Sequence, residues 1–212
     1  GPRGEAAQDG PGARAAAVAR VEAPALPSFP ARLAGAVRRA GTALVAGIDP
    51  HPDLLPDPLR PPSGSGPNAG AAACERFARG LLDACAPHIA AAKIQVACFE
   101  RFGAAGFAAL ARTLRHAREA GMVTIADAKR GDIPSSARHY AEAYLSDDAP
   151  LPSDALTIQS VFGAESVEPY APFLAGGARG AFALLRTSNP SAAEVQDEPG
   201  ADGTPWHMAL AR

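Results

Sequence analysis

The sequence predicts an α/β fold with a parallel sheet: a (β/α)8 TIM barrel of which about the first five βα units are present. Three observations carry this. Short apolar runs alternate with amphipathic stretches of helical period, which implies right-handed βαβ units. Ionisable and polar residues collect just after the apolar runs: Asp49, Lys93, Asp127 with Lys129 and Asp132, and Thr187 with Ser188. No run is followed by G-x-G-x-x-G or G-x-x-x-x-G-K-[ST], which disfavours the alternative, a doubly wound open sheet with a phosphate loop. In a barrel the carboxyl ends of the strands form the catalytic face, so these polar groups would converge on one mouth. A closed barrel uses about eight units and ~250 residues, so this chain does not supply them all.

The elements follow in order. Residues 1–28 are rich in Ala, Gly, Pro and Arg with few large apolar side chains. They cannot bury enough surface to offset their ordering entropy, so a disordered leader is expected. The chain begins Gly-Pro rather than Met, which suggests a processed start. A helix over 30–40 follows, with Leu33, Ala36 and Val37 on one face and Pro30 in its first turn. Residues 42–48 read as a buried strand, and 53–70, rich in Pro, Gly and Ser, as a long loop. A helix over 71–85 places Phe77, Leu81 and Leu82 on its apolar side. Residues 89–96 form the second strand, and 107–120 a helix whose outer face carries Arg112, Arg115 and Arg118. The third strand is 123–128, and the next helix 134–145. Then come a strand at 155–158, a helix at 166–174, a strand at 181–185, a polar loop after Pro190, and a helical start at 207–212.

Composition sets bounds. The 212 residues fit one domain or one and a fraction, and 47% apolar content suffices for a sizeable core. A net charge of −2 and a pI near 6.2 argue against a dedicated nucleic-acid or membrane-surface protein. No apolar run approaches the ~20 residues of a membrane span, and no signal peptide is visible. Cys74, Cys85 and Cys98 make no C-x-x-C pair and no metal-ligand spacing with the histidines. Their odd number fits buried thiols in a reducing compartment.

The chain has only two lysines, Lys93 and Lys129, against 18 arginines. Both stand at the ends of strand-like runs. An ammonium can give up a proton at accessible pKa, whereas a guanidinium essentially cannot, so a lysine that persists here points to chemistry. Asp127 and Lys129, two apart on a strand end, point the same way. Lys93, one strand back, can lie beside Asp127. Asp132 follows the Gly131 turn near the next helix start, where a carboxylate is favoured. Alternating Lys-Asp-Lys-Asp charges keep one another ionised. They suit a reaction that expels a negative group and protonates the carbon left behind. A structural ion-pair network with Asp132 as a cap competes with that reading. Asp49-Pro50 and Thr187-Ser188-Asn189 are compatible with plain turns, and Ser136 with a first-turn helix residue. Arg130 reads as a solvated or salt-bridging charge, and Glu100 and Arg101 as a local pair. His116 and His139 pack or face water.

These residues together resemble one family. Asp127-Ala-Lys-Arg-Gly-Asp-Ile133 is similar to the signature of a bacterial subgroup of the orotidine 5′-phosphate decarboxylases. The likeness extends through Gly47-Ile-Asp-Pro-His-Pro52, Lys93-Ile-Gln-Val-Ala-Cys-Phe-Glu100, Gly103-Ala-Ala-Gly-Phe107 and Thr187-Ser-Asn-Pro190. It implies a cytoplasmic TIM-barrel homodimer with shared active sites that decarboxylates orotidine 5′-monophosphate to UMP in pyrimidine synthesis, without metal or organic cofactor. It further implies that Asp127 stresses the substrate carboxylate and Lys129 donates the proton. Lys93 and Asp132 complete the array, Asp132 from the partner. Asp49 and Lys93 bind ribose hydroxyls, Ser136 stands where the family has Thr, and Ser188 with Thr187 touches the base. Two departures are visible. Residues 157–163 lack the usual Pro-Tyr, and the family's phosphate loops would lie beyond Arg212. Residues 29–212 are accordingly expected to be a C-terminally incomplete barrel domain. A related phosphosugar decarboxylase and a non-catalytic, nucleotide- or partner-binding relative are the competing readings.

Overall fold

A computed structural model describes residues 27–212; the expected leader at 1–28 lies almost wholly outside the described residues. Five strands form one parallel sheet in sequence order: β1 (Val45–Ile48), β2 (Ala91–Gln95), β3 (Val123–Arg130), β4 (Ala155–Gln159) and β5 (Gly180–Leu184). Consecutive order with parallel pairing means that every connection is a crossover on the same side, as βαβ geometry demands. The main helices are α1 (Phe29–Ala40), α2 (Gly66–Cys85), α4 (Gly103–Glu119) and α5 (Pro134–Leu145); α3 (Ala97–Glu100), α6 (Ala171–Leu174) and α7 (Trp206–Leu210) are short.

The period-two alternation divides each strand between two environments. Ala92, Ile94, Ala126, Leu156 and Ile158 join Leu82, Leu110, Leu114, Tyr144 and Leu145 in the main core, between the sheet and its helices. The opposite face is graded along the strands. Its first residues, Ala91, Val123, Ile125 and Ala155, are apolar and packed by Phe29, Leu33, Ala36 and Val37 of α1. Its last residues are Lys93, Gln95, Asp127, Thr157 and Gln159. One helix thus closes the amino ends of the strands, and the polar groups are left at the carboxyl ends.

α1 is fixed by more than its apolar face. The Ser28 side chain accepts from Ala31 N at the helix start, and Gly41 ends the helix in the left-handed conformation at φ 65°. Arg32 reaches Asp154 Oδ1 at 2.8 Å, at the head of β4. Phe29 fills the space above Gly180, where a Cβ would stand 2.5 Å from its ring.

Three expectations are corrected. The expected loop at 53–70 holds two single turns, Pro52–Leu54 and Asp57–Leu59, and α2 already begins at Gly66, because Pro67 is favourable in a first turn. α4 likewise begins at Gly103, four residues before the expected start. The expected helix at 166–174 is broken into turns at Ala164–Ser166 and Glu168–Tyr170 plus the short α6, since Pro169 and Pro172 each lack a backbone donor. β1 and β5 are the sheet edges and leave Leu44, Val45 and Phe182 exposed.

Candidate active site

Register brings the ionisable residues together. Lys93 pairs with Ile125 and Gln95 with Asp127 across β2 and β3, so Lys93 and Asp127 are diagonal neighbours on one face. Asp127 is buried at 5% exposure. Its two oxygens have separate partners. Oδ2 accepts from Lys93 Nζ at 2.6 Å and Gln95 Nε2 at 3.2 Å. Oδ1 accepts from Lys129 Nζ at 2.6 Å and Thr157 Oγ1 at 2.9 Å. Burial pushes the Asp127 carboxyl pKa up, but hydrogen bonds from Lys129, Lys93 and Thr157 and the Lys93 charge outweigh it. The net pKa is below the usual carboxylate value. Asp127 is therefore an anion clamped between two ammoniums whose heads remain partly open, with 34% and 41% of the Lys93 and Lys129 side chains exposed.

Lys129 does not reach Asp127 by simple alternation. Pairing between β3 and β4 slips between Ala126 and Arg130, and Lys129 has a φ of 48°, the left-handed region that a non-glycine residue rarely occupies. Thr157 Oγ1 accepts from Lys129 N at 2.9 Å, and Gln159 Nε2 donates to Lys129 O at 3.0 Å. Immediately after, Gly131 passes so close to β4 that a Cβ there would lie 2.8 Å from Gln159 Cβ. Gln95, Thr157 and Gln159 were not among the expected site residues. The signal for them in the sequence is weak: polar side chains at alternating strand positions otherwise filled by Ala, Val and Ile.

None of the remaining expected residues hydrogen-bonds to this cluster. Asp49 is exposed just beyond β1. Asp132 accepts from Ile133 N at 2.7 Å, ahead of α5, and makes no ion pair with either lysine of its own chain. Within one chain the array is therefore Lys-Asp-Lys rather than four alternating charges. Ser136 is half-buried in the first turn of α5. The Thr187 hydroxyl donates to Asn189 Oδ1 at 2.6 Å, its N–H is held by Gln196 Oε1 at 2.7 Å, and Ser188 is exposed. Arg130 is salt-bridged, to Glu100 at 2.9 Å, and its guanidinium lies 5.4 Å from the Tyr140 ring centroid. The expected local pair of Glu100 with Arg101 does not form, because Arg101 instead stacks on Phe102. His116 pairs with Asp83 at 2.6 Å. The three cysteines are free thiols; burial, with Cys98 nearby, pushes Cys74 up to about 11. Among the described residues no group of three His, Cys, Asp or Glu could hold a metal ion, and no helix is long and apolar enough to cross a membrane.

A family model described as Orotidine 5′-phosphate decarboxylase / HUMPS matches residues 43–211. The chain belongs to that family. A curated orotidine 5′-phosphate decarboxylase from Streptomyces coelicolor is 43% identical over 175 residues, 82% of this chain and 60% of its own length. One from Rhodopirellula baltica is 39% identical over 80% of this chain and 58% of its own length. The chain thus spans about 60% of the length of these relatives. Among solved structures, a Streptomyces avermitilis protein assigned as orotidine 5′-phosphate decarboxylase superposes with a TM-score of 0.76 at 41% identity, covering 88% of this chain and 62% of that one. Leishmania donovani OMP decarboxylase superposes at 0.69 with 29% identity, over 87% and 64%. The parallel sheet is the first five βα units of the TIM barrel of this family, and the Asp127 cluster stands at the carboxyl ends of its strands.

Proposed function

We propose that this protein decarboxylates orotidine 5′-monophosphate to UMP, as a homodimer and without a cofactor. The observation that carries the reading is the buried Asp127 carboxylate held at 2.6 Å by each of the two lysines, in a family whose curated relatives are orotidine 5′-phosphate decarboxylases. The substrate carboxylate sits against Asp127, and the two anions repel. As the carbon–carbon bond breaks, neutral carbon dioxide leaves and the electron pair stays on the ring carbon. The Lys129 ammonium, fixed beforehand, stabilises that charge without reorganising. It then transfers its proton to the carbon and regains one from water. Lys93 and Asp49 bind the ribose hydroxyls, and Thr187 and Ser188 contact the base. The partner's Asp132 and the partner's Ser136 complete the site. Support for that sharing is the position of Asp132, which lies at the mouth but away from the lysines of its own chain.

The test is the loss of orotidine 5′-monophosphate absorbance on adding the purified 212-residue chain, alongside a form continued to the natural stop codon. Turnover to UMP by the longer form supports the reading. Absence of turnover by both forms overturns it.

A further inference from the structure

We infer that Thr157 and Gln159, on β4, are positioning residues that hold Lys129 in its left-handed backbone conformation and so set where its ammonium stands. The inference deepens the proposed decarboxylation and rests on it for its kinetic part. It begins from the backbone. A residue with a Cβ persists at positive φ only where its surroundings fix it there, and Lys129 is the one described non-glycine residue in that state. Both its peptide groups are clamped by the same strand. Thr157 Oγ1 takes the N–H at 2.9 Å, and Gln159 Nε2 binds the C=O at 3.0 Å. Residues 157 and 159 are two apart on β4, so both side chains face the same way.

The Thr157 hydroxyl does a second task. While accepting from Lys129 N it donates its own proton to Asp127 Oδ1, at 2.9 Å, the oxygen that also binds Lys129 Nζ at 2.6 Å. One hydroxyl therefore fixes the backbone of the lysine and its counter-ion together. Thr157 is buried, at 7% exposure, so water cannot replace it freely. Lys93 and Gln95 bind the other oxygen of Asp127. Loss of the Thr157 hydroxyl must disturb Lys129 and spare Lys93. Neither β4 residue touches a reacting atom in this scheme; both act through Lys129.

The chain itself offers a clean probe. It has two lysines, so protein labelled with 13C at lysine Cε gives two signals, assigned by Lys93→Arg. In Thr157→Val the Lys129 signal is expected to shift or broaden while the Lys93 signal stays in place, and Thr157→Ser is expected to restore the wild-type spectrum. In the form that turns over, Thr157→Val should lower kcat by roughly 10- to 100-fold, with KM little changed, since misplacement of a reacting group acts on the chemical step. Gln159→Ala, at a half-exposed strand end, provides the same test if Thr157→Val does not fold. An unmoved Lys129 signal in a folded variant, or an equal shift of both signals, overturns the inference. Absence of turnover by both the 212-residue chain and the longer form overturns the decarboxylase reading alone, because the spectra are read without substrate.

Discussion

Replacing Asp154 by Asn should remove a large share of the fold's stability. Asp154 heads β4 at 2% exposure. Its Oδ2 accepts from Thr124 N at 2.9 Å and Thr124 Oγ1 at 3.0 Å, tying β4 to β3. Its Oδ1 accepts from Arg32 Nη1 at 2.8 Å, tying α1 to the sheet. Arg179, 8% exposed, brings Nη1 to 3.7 Å of the same oxygen, near enough for charge attraction but too far for a hydrogen bond. An Asn amide has one acceptor and one donor end. Whichever way it turns, its NH2 faces either the Thr124 N–H or the Arg32 guanidinium, and the buried Arg179 is left with only the exposed Asp147, at 3.4 Å, as a counter-charge. Breaking one partner of a buried ion pair costs about 3–5 kcal/mol, from a total of about 5–15 kcal/mol. For a chain of this size that is a fall in Tm of roughly 6–20 °C. Urea denaturation followed by far-UV circular dichroism at pH 7, with a thermal scan beside it, measures both. A loss below about 1 kcal/mol would refute the role of Asp154 as the charge that binds α1, β3 and β4, since that is all one surface pair contributes. Acid titration gives an independent check. Burial pushes the Asp154 pKa up, but the Arg32 hydrogen bond, the Thr124 N–H and the Arg32 charge bring it below its ordinary value. The unfolded chain then binds the extra proton, so the stabilisation is fully present above the ordinary Asp range, about 3.9, and is lost as pH falls through the lower folded value. Wild-type protein should lose stability below about pH 4 more steeply than Asp154→Asn.

Three further outcomes are expected. Lys129→Ala should abolish orotidylate turnover by at least about 100-fold. Its melting curve should stay close to wild type, because Asp127 keeps Lys93, Gln95 and Thr157 as partners; normal turnover would sink the proton-donor role. Mixing inactive Lys129→Ala protein with inactive Asp132→Ala protein should restore part of the activity if each site draws Asp132 from the partner, and no recovery after subunit exchange would place both residues in one chain's site. Gly106→Ala should destabilise by about 1–3 kcal/mol or more, because its Cβ would stand 1.8 Å from the Phe99 carbonyl oxygen where α4 crosses α3; an unchanged Tm would contradict that close approach.

Much of this molecule was legible in local sequence. Short apolar runs located all five strands within a few residues, and Pro134 marked the start of α5 where the structure has it, because a proline's fixed φ and missing donor act at its own position. The scarcity of lysine singled out Lys93 and Lys129; Lys129 does meet Asp127, but through its left-handed turn rather than the simple two-residue alternation expected. What the sequence could not reveal depends on register between strands far apart in the chain. Thr157 lies 30 residues from Asp127, and Glu100 30 residues from Arg130. No local pattern records which of several polar residues will face across a sheet, and the slip between β3 and β4 moves those partners again. The left-handed turn at Lys129 is likewise set by the β4 side chains that clamp it, against the residue's own preference. By itself the sequence determined the alternating architecture and singled out Lys93, Asp127 and Lys129 as one group of charges, since periodicity and side-chain type are local properties. Only the tertiary structure decided which oxygen of Asp127 serves which lysine, and that Asp132 stands apart from both, since those facts arise from strand pairing across the sheet.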